Sequence, residues 1–319
     1  MVNIDQRRKL ATGGGLLAIV LWSGTFALAR SLSEKVGSLS GGAAVYLIGA
    51  VLCLCWLLGK QEWAGFHRLS LRYLAGCGSL FALYTVVIYA SVGLAANHPQ
   101  LLEVALLNYL WPTLTVLLSL WVRKRAPHPL LWPATALALV GVFLVMTQGA
   151  QLSLTSFLDH VRSNPAAYGL AVVGAFAWAA YSNLAWFWSG ENTTGAMVVF
   201  MLASGVALWV LQHFFGEATR WSGPAVLEAL ALGAITATAY ALWDAAMRKG
   251  NLPLVAVCSY FTPLLSTLVS CLYLGVKPGT KLWVGCSLLV AGSIASWLAL
   301  EHWGRKPAGE QPGREPPGS

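Results

Sequence analysis

The sequence contains little charge. Only 10% of its 319 residues are Asp, Glu, Lys or Arg, whereas soluble domains typically contain about 25%. Hydrophobic residues make up 57% of the chain, and the mean hydropathy is +0.65. This composition excludes a soluble globular domain and indicates an integral membrane protein.

Residues that perform catalysis or bind metals are also scarce inside the apolar runs. The six histidines fall in or beside predicted loops, and the six cysteines fall in the runs themselves. Cys53 and Cys55 have no second cysteine pair or nearby histidine to complete a zinc site. No pair of acids lies in the middle of a run. We therefore expect no enzyme activity, no metal and no cofactor.

Basic residues outnumber acidic ones by 20 to 12, but their distribution does not suit nucleic acid. They occur in short clusters between apolar runs, which is typical of residues that set membrane topology. No Lys or Arg lies deep in a run, where a phosphate group would need one. The pattern argues against nucleic acid as a partner, and against a sugar-nucleotide or phosphate-ester carrier.

Ten apolar runs can cross a bilayer as helices, which takes about 20 residues each. The runs are continuous rather than alternating, which excludes membrane β-strands. We predict an all-α integral membrane protein in contact with the lipid bilayer. Its predicted spans lie near residues 11–30, 42–59, 73–94, 100–122, 130–148, 167–188, 195–212, 225–247, 252–274 and 280–300.

The positions of Lys and Arg predict the orientation. If the N-terminus is cytoplasmic and ten spans alternate, 14 Lys and Arg residues fall on cytoplasmic segments and six on the other side. Because positive residues are retained on the cytoplasmic side, we predict that both termini are cytoplasmic.

The chain contains an internal repeat with an offset of 151 residues. Aligning residues 85–141 with 236–292 without gaps gives 17 identical pairs in 57 positions, including Tyr109/Tyr260, Pro112/Pro263 and Gly141/Gly292. Each copy holds five spans, and five is odd, so the second copy enters the membrane from the opposite side. The sequence therefore predicts two inverted five-helix repeats, an arrangement that supports alternating access around a site near the membrane midplane.

The repeat divides the chain into four predicted segments. Residues 1–148 form the first five-helix repeat, and 167–300 form the inverted second repeat. Residues 149–166 form a periplasmic linker. Residues 301–319, rich in Pro, Gly and charge, are predicted to be a disordered cytoplasmic tail because they have little to bury.

Pro112 and Pro263 lie inside predicted spans. Proline lacks an N–H and clashes with the carbonyl four residues earlier, here those of Asn108 and Ser259. A freed carbonyl finds no partner in lipid, so each kink is expected to face protein or a hydrated cavity. Kinks that only shape helix packing are the alternative.

Aromatic residues near mid-span suggest a ligand site. Thr236, Tyr240, Trp243 and Met247 share one helix face, and the pair Thr85/Tyr89 begins the equivalent stripe in the first repeat. Such stripes also occur as ordinary packing. Clustered with polar residues near the prolines, they favour a site for a flat aromatic ligand.

Three acids lie within the spans. Glu103 and Glu228 are near outer ends, where they are expected to reach water. Asp244 precedes Arg248 by four residues near the cytoplasmic end, which predicts an ion pair on the surface. No acid lies at mid-span, so the sequence contains no clear proton-coupling carboxylate and no acid to bind a cationic drug.

The motifs "LW" at 21–22, "YLWP" at 109–112 and "YFTP" at 260–263, with ten spans in two inverted halves, resemble the drug/metabolite transporter superfamily in its EamA-like branch. The resemblance covers about residues 11–300 and implies a pocket between the halves. It implies that ten residues bind substrate, with Pro112 and Pro263 at the helix kinks: Trp22, Tyr84, Asn108, Tyr109, Trp111, Trp178, Tyr181, Tyr240, Ser259 and Tyr260.

The same resemblance implies a bacterial inner-membrane exporter of small amphipathic metabolites. Within the branch, the aromatic-rich spans and the segment "LLNYLWPTLT" imply aromatic amino acids as substrates, with threonine-like neutral amino acids as possible additions. Efflux of drugs or other amphipathic metabolites on the same fold is the alternative. We expect the protein to be a monomer.

Overall fold

The computed structural model describes residues 4–59, 69–122, 124, 127–147, 154–189, 195–274 and 279–304. These residues form thirteen α-helices and one π-helical turn, Tyr73–Cys77, which leads into α3. The helices are α1 (Ile4–Val36), α2 (Ser38–Gly59), α3 (Gly78–Leu94), α4 (His98–Asn108), α5 (Trp111–Val122), α6 (Leu131–Met146), α7 (Leu154–Ser163), α8 (Pro165–Trp188), α9 (Ala196–Phe215), α10 (Gly223–Lys249), α11 (Leu252–Cys258), α12 (Phe261–Leu274) and α13 (Thr280–Gly304).

The helices form a membrane bundle, as the sequence predicts. Seven helical segments are long and apolar enough to cross a bilayer: α2, the π-turn with α3, α4 with α5, α8, α9, α10 and α13. The helix α6 and the segment Leu252–Ser266 are apolar but shorter, and α1 is 33 residues long. Many large apolar side chains face outward, such as Trp121 at 76% exposure and Phe214 at 83%. An outer surface of this kind suits lipid.

The helix contacts repeat when the two halves of the chain are exchanged. Helix α1 packs on α10, and its counterpart α8 packs on α3. Helices α11 and α12 contact α1, and their counterparts α4 and α5 contact α8. The pairs α2–α9 and α6–α13 each join a helix to its own counterpart. This pattern is that of two copies related by a pseudo-two-fold axis.

The repeated glycine pair lies where α6 meets α13. A Cβ on Gly141 would lie 2.5 Å from the Leu289 backbone nitrogen, and one on Gly292 would lie 2.4 Å from the Ala138 backbone nitrogen. No rearrangement of a side chain can relieve a clash with backbone. The two glycines therefore permit the close approach of α6 and α13, a common use of small residues between membrane helices.

Two faces of the bundle can be told apart by contacts of α1. Near its start, the Thr12 hydroxyl accepts a hydrogen bond from the Asn251 N–H, 3.0 Å away and just after α10. Near its end, Lys35 forms an ion pair with Glu228 near the start of α10. The first end is called the N-terminal face and the second the opposite face.

Both predicted proline interruptions are present, and each is a complete break in the helix. Helix α4 ends at Asn108 and α5 begins at Trp111; α11 ends at Cys258 and α12 begins at Phe261. Pro112 and Pro263 therefore lie in the first turns of α5 and α12, where a missing N–H breaks no helical hydrogen bond. Each proline therefore lies at the start of a new helix, α5 or α12, and does not bend a continuous helix.

The segments outside the repeats differ from the predictions in two places. The linker predicted at 149–166 contains helix α7, whose Phe157 and Val161 pack on Val104 and Tyr168. Helix α13 continues to Gly304, into the segment 301–319 predicted as a tail. Residues 305–319 lie outside the described residues.

Candidate functional site

A cavity of about 200 Å³ lies where the broken helices meet the rest of the bundle. Seven of the ten sequence-predicted residues line it: Trp22, Tyr84, Asn108, Tyr109, Trp111, Trp178 and Tyr240. The remaining lining residues are Thr25, Ile88, Val92, Val104, Ala105 and Thr262.

A second cavity of about 100 Å³ adjoins the first and shares its residues Trp22, Thr25, Tyr84, Ile88 and Tyr240. The predicted stripes meet here, because the other lining residues are Ala29, Tyr46, Thr85, Tyr89, Leu232 and Thr236. Together the two volumes are near the lower end of the range for small-molecule sites, roughly 300–1,000 Å³.

Tryptophan rings close the larger cavity. The ring of Trp22 lies 5.2 Å from that of Trp243 and 5.5 Å from that of Tyr240. Trp111 meets Trp243 edge to face at 5.3 Å, and Trp178 lies 5.4 Å from Tyr240. These spacings are those of favourable aromatic pairs. The walls therefore offer both faces and edges of rings to a flat ligand.

Two polar atoms of the larger cavity are buried without a hydrogen-bond partner among the described residues. They are Oδ1 of Asn108 and Oγ1 of Thr262. Asn108 ends α4 and Thr262 is the second residue of α12, so each lies beside a helix break. Leaving a buried polar atom unpaired costs about 1–3 kcal/mol. Such atoms suit contact with the polar group of a ligand or with water.

Hydroxyl groups dominate the polar surface of the smaller cavity. The Tyr46 and Tyr240 hydroxyls are 2.7 Å apart, and the Thr85 hydroxyl donates to the Phe81 carbonyl at 3.0 Å. Among the described residues, neither cavity is lined by a charged side chain.

Three of the predicted residues lie outside the cavity lining. The Tyr181 hydroxyl donates to Oδ1 of Asp244 at 2.9 Å. The Ser259 hydroxyl donates to the Ala256 carbonyl, and the Tyr260 hydroxyl lies 2.6 Å from that of Thr113. All three are fully buried. Their hydroxyl groups therefore have hydrogen-bond partners within the protein.

The surroundings of two acids differ from the prediction. Glu103, expected to reach water, is 2% exposed and binds His160 of α7 and the Tyr168 hydroxyl. The ion pair of Asp244 with Arg248, expected on the surface, is buried: their side chains are 5% and 10% exposed. The ion pair predicted from the i,i+4 spacing is present, but neighbouring helices cover both side chains.

The predicted site lacks Thr25 and the apolar residues of the larger cavity, which carry no chemical signature. Their spacing could have identified them. Thr25 follows Trp22 by three residues, and Ile88 follows Tyr84 by four, so each lies on the helix face of a predicted residue.

Comparison with known proteins agrees with this architecture. The model of the family described as "EamA-like transporter family" matches residues 10–147 and 165–298. The "Aromatic amino acid exporter YddG" of Escherichia coli (strain K12) is 34% identical over 92% of this chain and 99% of its own length. The protein of the same name from Ancylobacter novellus is 30% identical over 91% and 98%. A protein of known crystal structure is 28% identical, with a TM-score of 0.74 over 91% of this chain and 98% of its own. The chain is thus a multi-pass membrane protein that belongs to the EamA-like transporter family.

Proposed function

We propose that this protein exports aromatic amino acids across the bacterial inner membrane by alternating access. Two relatives that match nearly the whole chain bear the name of aromatic amino acid exporter. In this proposal the halves 1–148 and 167–300 exchange two conformations around the central cavity, as inverted repeats do. The protein acts as a monomer, with both termini cytoplasmic, and as a transporter rather than an enzyme.

The observation that carries the proposal is the composition of the larger cavity. It combines a wall of tryptophan rings with the two unpartnered polar atoms beside the helix breaks. We place the aromatic ring of the substrate against Trp22, Trp111 and Trp178. The ammonium group donates to Oδ1 of Asn108, and the Thr262 hydroxyl donates to the carboxylate. An uncharged lining suits a substrate whose own charges cancel.

The position of the cavity agrees with alternating access, which needs a site near the membrane midplane. Along α10 the lining begins at Leu232 and ends at Tyr240, which leaves nine residues of the helix on each side of the cavity. Below Tyr240, the rings of Trp178 and Trp243 are buried and 5.9 Å apart. These two rings lie between the cavity and the side that we propose to be cytoplasmic.

Transport by the purified protein in liposomes tests the proposal. Uptake of labelled phenylalanine, threonine and lysine is measured with and without a pH gradient. We expect phenylalanine to be transported and lysine to be excluded, because neither cavity is lined by an acid. Transport of lysine but not phenylalanine would refute the substrate class.

A pair of tryptophan variants tests the site itself. Trp111 is 4% exposed in the cavity wall, whereas Trp121 is 76% exposed on the outer surface. We expect Trp111→Ala to weaken phenylalanine transport roughly 2- to 12-fold, since aromatic pairs contribute about 0.5–1.5 kcal/mol beyond burial of their area. Trp121→Ala should change it little. Equal losses in two well-folded variants would contradict the assignment of the cavity.

A further inference from the structure

A second polar cluster lies outside both cavities and is called the latch. It consists of Tyr73 from the π-helical turn, Tyr181 from α8, and Asp244 and Arg248 from α10. Both tyrosine hydroxyls donate to Oδ1 of Asp244, and Nε of Arg248 donates to its Oδ2 at 2.7 Å. Both tyrosines are completely buried. Three membrane helices are thus joined through one carboxylate.

The latch lies between the cavity and the N-terminal face. Tyr181 is one helical turn from Trp178, which lines the cavity, and their rings are 5.2 Å apart. Arg248 lies one residue before the end of α10, beside the start of α1. A molecule that passes from the N-terminal face to the cavity between α3, α8 and α10 must therefore pass the latch.

The inverted repeat has no equivalent of the latch on its other side. At the offset of 151 residues, Asp244 corresponds to Gly93 and Arg248 to Asn97. The helices that correspond to α3, α8 and α10 are α10, α1 and α3. Between these lie the smaller cavity and, at the opposite face, the ion pair of Lys35 with Glu228, whose side chains are 39% and 22% exposed. A buried carboxylate shared by three helices is therefore found on the N-terminal side, whereas the ion pair on the opposite side is partly exposed and joins α1 and α10.

One atom of the latch has no partner. Nη1 of Arg248 is buried and makes no hydrogen bond among the described residues. When α3 and α8 move away from α10, Oδ1 of Asp244 also loses its two tyrosine donors. The ion pair itself persists, because both residues belong to α10. The opened pair then has one free acceptor on a carboxylate and one free donor on a guanidinium.

We infer that the latch is both the gate on the N-terminal side and the entry site for the zwitterionic head of the substrate. The substrate ammonium replaces the tyrosine hydroxyls on Asp244, and its carboxylate binds Nη1 of Arg248. A ligand with one charge would satisfy only one of these groups and leave the other unpaired, which is costly near the membrane interior. The inference rests on the proposed function in taking an amino acid as the ligand.

The buried thiol of Cys77 reports opening of the gate. Cys77 ends the π-helical turn that begins with Tyr73, and it is completely buried. In a variant that retains Cys77 alone, its labelling by a small water-soluble maleimide is followed in liposomes. The five other cysteines are replaced by serine: Cys53, Cys55, Cys258, Cys271 and Cys286.

Removal of one latch hydroxyl tests the gate. We expect Tyr73→Phe and Tyr181→Phe to accelerate labelling of Cys77 on the order of tenfold, since each removes a hydrogen bond to a charged group. Tyr168→Phe is the matched control, because Tyr168 also donates to a buried carboxylate, that of Glu103, but towards the opposite face. Labelling of the latch variants at the rate of the parent protein would overturn the gate.

Ligand protection tests the entry site. In the Tyr181→Phe protein, phenylalanine should slow labelling of Cys77, whereas phenethylamine and 3-phenylpropionate at the same concentration should not. Adding Arg248→Gln should abolish the protection by phenylalanine. Equal protection by all three compounds, or protection that survives Arg248→Gln, would overturn the entry site. Phenylalanine counterflow by the wild-type protein tests the proposed function separately, since the labelling rates of the latch variants require no substrate.

Discussion

Substitution of Asn108 tests directly whether its side-chain oxygen binds the substrate ammonium group. We expect Asn108→Leu, which preserves size and removes the amide, to raise the KM for phenylalanine counterflow. A hydrogen bond to a charged group contributes about 1.5–3 kcal/mol. At about 1.4 kcal/mol per factor of ten, its loss corresponds to a roughly 10- to 150-fold higher KM. The expected value lies near the upper limit, because Oδ1 of Asn108 is buried without a hydrogen-bond partner among the described residues and gives up no bond when the substrate ammonium binds.

The repeat supplies the control for this variant. Ser259 occupies the position equivalent to Asn108, but its hydroxyl donates to the Ala256 carbonyl and it does not line the cavity. Ser259→Ala should therefore leave the KM within about threefold, which corresponds to less than 1 kcal/mol. The assay is counterflow of labelled phenylalanine in liposomes, with the amount of folded protein checked by size-exclusion chromatography. A rise in KM for Ser259→Ala equal to that for Asn108→Leu would refute the placement of the head at the break in α4.

Two further changes test the architecture around the site. Gly292→Ala should lower thermal stability by roughly 1–3 kcal/mol, because its Cβ would lie 2.4 Å from backbone of α6; a melting experiment checks this. Gly169→Ala, with no atom within 4 Å of the added Cβ, should leave the melting temperature nearly unchanged, and an equal fall would contradict the close contact. Glu103→Gln should expose α7 to limited proteolysis, because the carboxylate binds both His160 and Tyr168. Asp159→Asn alters a pair at the surface of α7 and should not, so equal cleavage of both variants would refute this anchoring.

The spans and the helix breaks could be predicted because their causes are local. A membrane helix needs one long apolar run, and proline cannot continue a helix from the residues before it. The register of the repeat predicts that the two breaks lie at equivalent positions in the two halves. The seven predicted residues that line the cavity came from the resemblance to the EamA-like branch rather than from this local reasoning.

The remaining parts depend on helix rotation and on neighbours distant in the chain. Tyr181 lies one turn beyond Trp178 on α8, yet its hydroxyl bonds Asp244, which is 63 residues away. Asp244 and Arg248 have the spacing of a surface pair, but both are buried, and the Asp244 carboxylate accepts hydrogen bonds from tyrosines of the π-helical turn and of α8. The π-helical turn Tyr73–Cys77 has no sequence signature, although turns of this kind recur at functional sites.

The asymmetry between the halves explains how one repeated fold can favour one direction of access. The fold supplies two nearly equivalent closures, but the residues at equivalent positions differ in chemistry. Trp111 faces the cavity in one half and Thr262 in the other, which places a ring contact on one side of the substrate and a hydroxyl on the other. The N-terminal side has a buried carboxylate with three donors. On the other side Gly93 occupies the position equivalent to Asp244, and the ion pair of Lys35 with Glu228 is partly exposed. A difference of a few hydrogen bonds to charge shifts a two-state population by orders of magnitude, so without substrate the protein should rest with its N-terminal side closed.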